Sequence, residues 1–450
     1  MTIVEEYRRL HPRSAELYEQ AVRTFPSGVT HDTRYVSPFP IYVDHAQGSH
    51  KWDVDGNDLI DLVMGHGALF LGHAHPQITE AIIEQVQQGT HYGACHEREL
   101  EWAGWIKKLI PSAEELRFMS SGTEATMMAV RLARAYTGRD KLLKFDSHFH
   151  GWNDSLYGVR APEAMTPHSA GIPEATLSNT LSVPPNDISL VEERLAAGDV
   201  AAVILEPTGA SWGTLPLMPG FLAELREATA RHNTLLIFDE VITGFRVSLG
   251  GAQQRYGVLP DISTLAKIMA GGMPGGCVAG RADILAMMEY REDSGEWNLE
   301  RRVAHPGTYN ANPVSAASGS KMLSILAAGD KHAPLEAQHR RLLQECNRIL
   351  QRRKMPGCVY GLASYFHVLL GYRCPEPEDG VEWSWAEGEM PPRIPVHLGT
   401  ALKRGMINRG VDLMGLNGGF VSAVHTAEDV DAIIGAFDAT IGEMQAEGLV

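Results

Sequence analysis

Two residues in this chain have the type and setting for chemistry on a carbonyl carbon. Asp239 ends the apolar run Leu235-Leu236-Ile237-Phe238, and Lys267 follows the run Ile262 to Ala266, just ahead of Gly271-Gly272-Met273-Pro274-Gly275-Gly276. An apolar run that ends in a carboxylate reads as a buried strand delivering an acid to a sheet edge. Apolar neighbours on both sides of Lys267 favour its neutral amine, which is nucleophilic. An acid to hold a pyridine nitrogen protonated and an amine to form an imine are the two protein groups that pyridoxal phosphate chemistry requires. Each also has an ordinary explanation: Asp239 as a turn cap, Lys267 as a solvated lysine. Glu240 is a competing acid, although along a strand it points to the opposite face.

Three other clusters bear on the same question. Ser120-Ser121-Gly122-Thr123-Glu124-Ala125 opens a segment whose Ala125, Met128, Ala129, Leu132, Ala133 and Tyr136 recur at helical spacing. Small hydroxyl residues and a glycine at a helix start expose backbone N–H groups, a ready phosphate site. A capped helix with no ligand explains the same residues. His148-Phe149-His150 and His73-Ala74-His75 carry a spacing that puts two imidazoles on one face of a strand, as a metal site needs. No further ligand motif completes either pair, so no metal is expected. Phe149 could stack on a flat cofactor or simply fill core.

These residues need elements to position them. From Leu59 to about Gly280, short apolar strand candidates such as Ala201 to Leu205 and Thr234 to Phe238 alternate with helix candidates such as Phe221 to His232. Such alternation predicts an α/β domain with a mainly parallel sheet, whose ligands lie outside the carboxyl ends of the strands. Ahead of it, a helix is expected over Val4 to Thr24, with strands near Ile41 to Val43 and His50 to Asp53. Beyond Pro313, helices are expected over Val314 to Ala328 and His332 to Arg353, followed by an α+β segment. The expected division is an N-terminal segment, 1–60, that packs with the small domain; a large domain, 61–313; and a small C-terminal domain, 314–450. The stretch Arg373 to Arg393, rich in proline and acid and holding Trp383 and Trp385, reads as a polar surface loop.

Composition narrows the class. The 450 residues are 44% hydrophobic and 21% charged, with 39 basic against 55 acidic side chains for a formal charge of −16. A broad nucleic-acid surface is therefore not expected. No apolar run approaches a membrane span of roughly 18 residues, and the charged start lacks a secretory pattern. The five cysteines are scattered without CxxC spacing, which fits a reducing, cytoplasmic setting better than a disulfide framework.

Taken in order, Gly72-His73-Ala74-His75-Pro76, Ser121-Gly122-Thr123-Glu124-Ala125, Phe149-His150-Gly151, Glu206-Pro207, Asp239-Glu240-Val241-Ile242-Thr243-Gly244-Phe245-Arg246, Lys267 with its glycines, and Gly307-Thr308-Tyr309-Asn310-Ala311-Asn312-Pro313 are highly specific. Nearly the whole chain resembles the class III (ω-type) aminotransferases of the pyridoxal-phosphate fold-type-I superfamily, within the branch of the glutamate-1-semialdehyde aminomutases and β-amino-acid aminotransferases. The resemblance implies pyridoxal 5′-phosphate bonded to Lys267, which also shuttles the proton between Cα and C4′, with Asp239 on the pyridinium nitrogen. It implies Phe149 and Val241 on the two faces of the ring, and Ser121, Gly122 and Thr123 on the phosphate. Glu206 joins the cofactor set, and Thr308 reaches the phosphate of a neighbouring subunit, so a homodimer with shared active sites is expected.

For the substrate, Arg34 falls where the branch places a carboxylate-binding arginine, whose fork suits a carboxylate. Two positions depart from the aminomutase pattern: His66 replaces a tryptophan, and Asn417, in Leu413-Met414-Gly415-Leu416-Asn417-Gly418-Gly419-Phe420, occupies an acidic slot. The resulting expectation is an aminotransferase moving an amino group from a β-amino acid or (S)-amine to a 2-oxo acid such as pyruvate or 2-oxoglutarate. An aminomutase of the same fold is the first alternative, and a metal-dependent hydrolase built on the histidine pairs is a remote one.

Overall fold

The computed structural model describes residues 1–160, 165–292, 294–374 and 394–450. Within these, the chain forms two compact units, one of residues 77–329 and one that joins 1–76 with 330–374 and 394–450.

The larger unit is built on a seven-stranded sheet. Its strands are β1 (Glu115–Met119), β2 (Lys141–Phe145), β3 (Thr180–Val183), β4 (Val200–Leu205), β5 (Leu235–Asp239), β6 (Ile262–Ala266) and β7 (Gly276–Gly280). They lie in the order β1-β7-β6-β5-β4-β2-β3, with β7 antiparallel to both its neighbours and the other pairs parallel. The runs in β4 and β5 are buried throughout, as a sheet covered on both faces demands. Alternation then sorts the side chains. Leu142, Ala202, Ile204, Leu235 and Ile237 join the core under the helix Gly122–Thr137. Leu143, Val203, Leu205, Leu236 and Phe238 join the opposite core, with helices Ile188–Leu195 and Phe221–Arg231. By the same parity, Lys144, Glu206 and Asp239 all fall on the first face, at the carboxyl ends of adjacent strands.

The smaller unit holds a four-stranded sheet, in which Asp58–Asp61 pairs in parallel with Val411–Asp412, and a three-stranded sheet of Gly357–Leu362, Tyr365–Leu370 and Gly418–Phe420. Helices His332–Arg352 and Ala427–Ala446 belong to it. Cys358 and Cys374 are disulfide-bonded, a pairing that the scattered cysteine spacing did not disclose.

Several expectations are corrected. The helix expected over Val4 to Thr24 is two, Ile3–Leu10 and Pro12–Ala21, because Pro12 has no N–H to continue the first. The N-terminal segment extends to residue 76 rather than 60: strand Asp58–Asp61 binds residues 411–412, and Asp61 caps the turn that follows. Helix Pro313–Leu326, expected to open the small domain, stays in the larger unit, where Gly319 packs against Trp102 and Met269. Of the loop expected over Arg373 to Arg393, residues 375–393 lie outside the described residues. Among those described, no helix is long and apolar enough to cross a membrane.

Candidate active site

The larger unit gathers most of the expected residues at the carboxyl ends of its parallel strands. Asp239 ends β5 with 5% of its surface exposed. Its Oδ1 accepts from the Val241 N–H at 3.1 Å and the Thr264 hydroxyl at 3.2 Å, while Oδ2 meets His150 Nδ1 at 2.8 Å. The carboxylate is thus bonded on both oxygens before any ligand is considered.

Lys267 follows β6 at the head of the 3-10 turn Lys267–Ala270, in the left-handed region at φ 54°. Burial pushes its ammonium down to about 8, with Asp239 opposing and Arg246 adding to the fall. Near neutral pH, about a tenth of this lysine is therefore an uncharged amine, far more than of an ordinary lysine.

Ser121 caps the helix Gly122–Thr137, its hydroxyl accepting the Glu124 N–H at 3.2 Å. That helix start is pressed against the strand ends: a Cβ on Gly122 would lie 2.9 Å from Val241, and one on Gly276 would lie 2.2 Å from the Ser121 carbonyl. On the other side, a Cβ on Gly151 would lie 2.4 Å from the Thr123 hydroxyl. Ser121, Gly122, Thr123, Val241 and the Phe149-His150-Gly151 segment are thereby neighbours, and Phe149 is 54% exposed.

Glu206 stands on the same sheet face as Asp239. Its carboxylate accepts three backbone N–H groups, from Phe149 at 2.8 Å, Ser211 at 2.8 Å and Trp212 at 2.7 Å. Burial pushes it up to about 8, Asp239 adds to the rise, and the three donors oppose it.

Thr308 belongs to the same unit but lines a separate cavity of about 530 Å³ with His91, Cys95, His96 and Asn310. That cavity shares no lining residue with the surroundings of Lys267 described above.

The substrate candidates fall in the smaller unit. Arg34 and His66 line one cavity of about 430 Å³, together with Tyr42, Lys51, Lys403 and Asp412. Arg34 donates to the Thr30 hydroxyl at 2.8 Å and has no carboxylate partner among the described residues. His66 sits in a left-handed turn, with φ of 46° at Met64, 60° at Gly65, 58° at His66 and 83° at Gly67. Asp61 secures this turn by accepting the N–H groups of Val63 and Met64. Thr33 links His66 Nε2 and His31 Nδ1, each at 3.0 Å from its hydroxyl. Asn417 has a different task from the one expected: its amide donates to the Val368 carbonyl at 2.9 Å, and it is not among the cavity residues. The bend it occupies pairs Met414 with Gly418 and leaves its side chain at the edge of strand Tyr365–Leu370.

Neither histidine pair belongs to a group of three or more converging metal-ligand side chains among the described residues. His148 Nδ1 accepts the Glu206 N–H at 2.9 Å, His150 faces Asp239, and His73 faces Asp61 at 2.7 Å. His11, Asp53 and Asp55 do converge within 4.8 Å. Their oxygens, however, already take backbone N–H groups of Arg13, Ser14, Asp55 and Asn57. Sequence reasoning missed His150 as the partner of Asp239, although its place beside Phe149 in the shared motif was the available signal.

A model of the family Aminotransferase class-III matches residues 32–368. The chain belongs to this family. It is 42% identical to the glutamate-1-semialdehyde 2,1-aminomutase of Methanocella arvoryzae over 81% of this chain and 85% of that one. Its fold resembles an omega-transaminase from Sphaerobacter thermophilus at TM-score 0.86 and 32% identity, covering 96% of this chain and 98% of that one. It also resembles a beta-phenylalanine aminotransferase from Variovorax paradoxus at TM-score 0.85 and 27% identity, covering 99% and 97%.

In this member of the class III family, the residues present fit pyridoxal phosphate. A helix start with exposed N–H groups suits the phosphate, a buried strand-end carboxylate suits the ring nitrogen, and an amine lowered to about 8 suits imine formation. Gly122 and Gly276 let the helix start close onto Val241 and the strand ends, where a Cβ would clash.

Proposed function

We propose that this chain uses pyridoxal 5′-phosphate to move an amino group within a carboxylate-bearing substrate of the glutamate-1-semialdehyde type, as an aminomutase does. The observation that carries this reading is the 42% identity to a curated aminomutase over most of both chains. It reverses the order in which the sequence placed the two chemistries.

When bound, the cofactor supplies an electron sink and a carbonyl carbon that exchanges amino groups. The protein supplies the rest. Lys267, about half neutral near pH 8, would serve as the nucleophile and would carry the proton to and from the substrate's α-carbon. Asp239 keeps the ring nitrogen protonated, and its bonds to Val241, Thr264 and His150 fix the carboxylate in place. Ser121, Gly122 and Thr123 hold the phosphate at the helix start, while Phe149 and Val241 cover the ring faces. Thr308 serves the phosphate of a second subunit in a homodimer. In the smaller unit, Arg34, with no competing carboxylate, receives the substrate's carboxylate.

Intermolecular transfer to a 2-oxo acid is the second reading. The specific observation that favours it is the cavity wall: His66, tied to Thr33 and His31, stands where aminomutases carry a tryptophan, and Asn417 brings no acid to the cavity.

The deciding assay supplies holoenzyme with glutamate-1-semialdehyde alone, and separately with β-amino acids or (S)-amines plus pyruvate or 2-oxoglutarate. Formation of 5-aminolevulinate without any oxo acid is expected. Turnover only when an oxo acid is present would replace the aminomutase reading with the transaminase. Failure of any amino donor to bleach the visible absorbance of the holoenzyme would sink both.

A further inference from the structure

Lys144, at this sheet edge, is used by neither the sequence motifs nor the proposed chemistry. It lies near the end of β2, on the face shared with Glu206 and Asp239, with 4% of its surface exposed. A buried ammonium is costly unless it is paired, yet Lys144 makes no ion pair among the described residues. Its Nζ instead donates to the carbonyls of His148 and Leu156, each at 3.0 Å. These carbonyls sit at the two ends of one irregular stretch, which carries Phe149 and His150.

Glu206 secures the same stretch from the neighbouring strand. Its three N–H donors come from Phe149 and from Ser211 and Trp212 in a turn with φ of 48° and 52°, completed by Gly213 at 88°. Left-handed backbone is unfavourable for residues with a Cβ, and successive N–H groups in such a turn form a nest for an anion. The carboxylate thus ties two segments together. The Thr126 hydroxyl adds a bond to the His150 carbonyl at 2.7 Å.

We propose that Lys144 and Glu206 form a charge-balanced clamp on the 148–156 arch, positioning Phe149 and His150 for the cofactor. Charge balance is the physical reason for the pairing. Burial disfavours the charged form of both groups, but three N–H donors favour the Glu206 carboxylate, and Glu206 with Asp146 favours the Lys144 ammonium, so each charge supports the other. Both act as positioning residues: Lys144 bonds only backbone carbonyls, and Glu206, which the resemblance places in the cofactor set, spends its carboxylate on three backbone N–H groups. The effect on cofactor rests on the pyridoxal phosphate reading, whereas the effect on the arch does not.

The test uses full-length Lys144→Met, Glu206→Gln, the double variant, Lys144→Gln, and Leu195→Ala as a control in the opposite core. In apo-protein, amide hydrogen exchange of residues 149–156 is expected to quicken at least tenfold in Lys144→Met and Glu206→Gln. The double variant is expected to exchange no faster than the worse single one. Lys144→Gln, which keeps a donor, is expected to recover part of the protection. Leu195→Ala is expected to lower the melting temperature and leave the arch unchanged. The dissociation constant for pyridoxal phosphate is expected to rise about tenfold with arch exchange, along with loss of its visible circular dichroism. Unchanged arch exchange in Lys144→Met, or effects that multiply in the double variant, would overturn the clamp. Arch exchange as expected in a protein that takes up no pyridoxal phosphate would uphold the clamp and overturn the cofactor reading.

Discussion

The two units of this chain bury lysine and carboxylate in opposite ways. In the smaller unit, Lys51 bonds both Asp61 and Asp412, Lys403 bonds Asp412, and His73 completes Asp61. Burial alone would lower Lys51, but Asp412 and Asp61 more than reverse it and hold the ammonium above its ordinary value. Asp61 and Asp412 are likewise held below the carboxylate range despite burial, chiefly by Lys51 and Lys403. In the larger unit, Lys144 and Lys267 make no ion pair among the described residues, and burial takes both down to about 8. Glu206 rises to about 8 for the same reason. Pairing decides the direction at Lys51, Asp61 and Asp412, whereas burial still lowers Lys403 against the pull of Asp412. In the larger unit, Lys144 and Glu206 share a sheet edge with the reactive Lys267 and are bonded to backbone there.

The largest effect expected from breaking this contrast is at Lys267. Lys267→Ala removes the nucleophile and proton carrier, so turnover should fall by at least ~10²–10⁴-fold, the usual worth of one acid–base group. Stopped-flow absorbance with an amino donor should show no half-reaction, and the melting temperature should hardly change. A variant that still turns over would place the reactive amine elsewhere.

Next comes the scaffold. Lys51→Met leaves Asp61 and Asp412 short of a partner, and breaking a buried pair typically costs about 3–5 kcal/mol. Urea unfolding should register that loss, while cofactor bound in the larger unit keeps its spectrum. If the spectrum is lost at unchanged stability, the two units do not divide the work as stated.

Arg34→Ala should raise KM for carboxylate substrates about ten- to hundredfold, matching the ~1.5–3 kcal/mol of a charge-assisted hydrogen bond. Uncharged amines should be spared. Equal loss for both would remove Arg34 as the carboxylate reader.

The smallest effect is the sharpest comparison of the two lysines. In apo-protein, acylation of Lys267 by an activated ester should rise with a midpoint near pH 8, since only the neutral amine reacts. Lys51 should remain unlabelled through that range, because its ammonium is held above 10.5. Between about 8 and 10.5, the unfolded chain binds more protons at Lys267 than the folded one, so this group makes apo-protein stability rise with pH there. Lys51 acts with the opposite sign, its contribution falling as pH passes its raised value. Mass spectrometry of the labelled peptides reads both lysines in one experiment.

Local pattern revealed much of this. Asp239 and Lys267 stand at the strand ends that their apolar runs predicted, and Ser121 caps the predicted helix. The alternating strands and helices led to the parallel sheet, because a fully buried strand must be apolar along its whole length. Partnerships were less legible. His150 resembled half of a metal pair until β5 brought Asp239 to its Nδ1, 89 positions along the chain. Asn417 looked like an altered substrate group, and only the bend beside Val368 showed its amide spent on backbone. The unit boundaries at 76 and 329 also depended on strand pairing and helix packing, which composition does not encode.

By itself, then, the sequence determined which groups stand at which strand ends and the family to which they belong. Those follow from periodicity and short motifs, which are local. Tertiary structure decided the surroundings that shift each buried group, the partners of each carboxylate, and the backbone groups that Lys144 and Glu206 bond. A buried group titrates according to every charge and donor within a few ångströms, and here those come from strands and turns far apart in the chain.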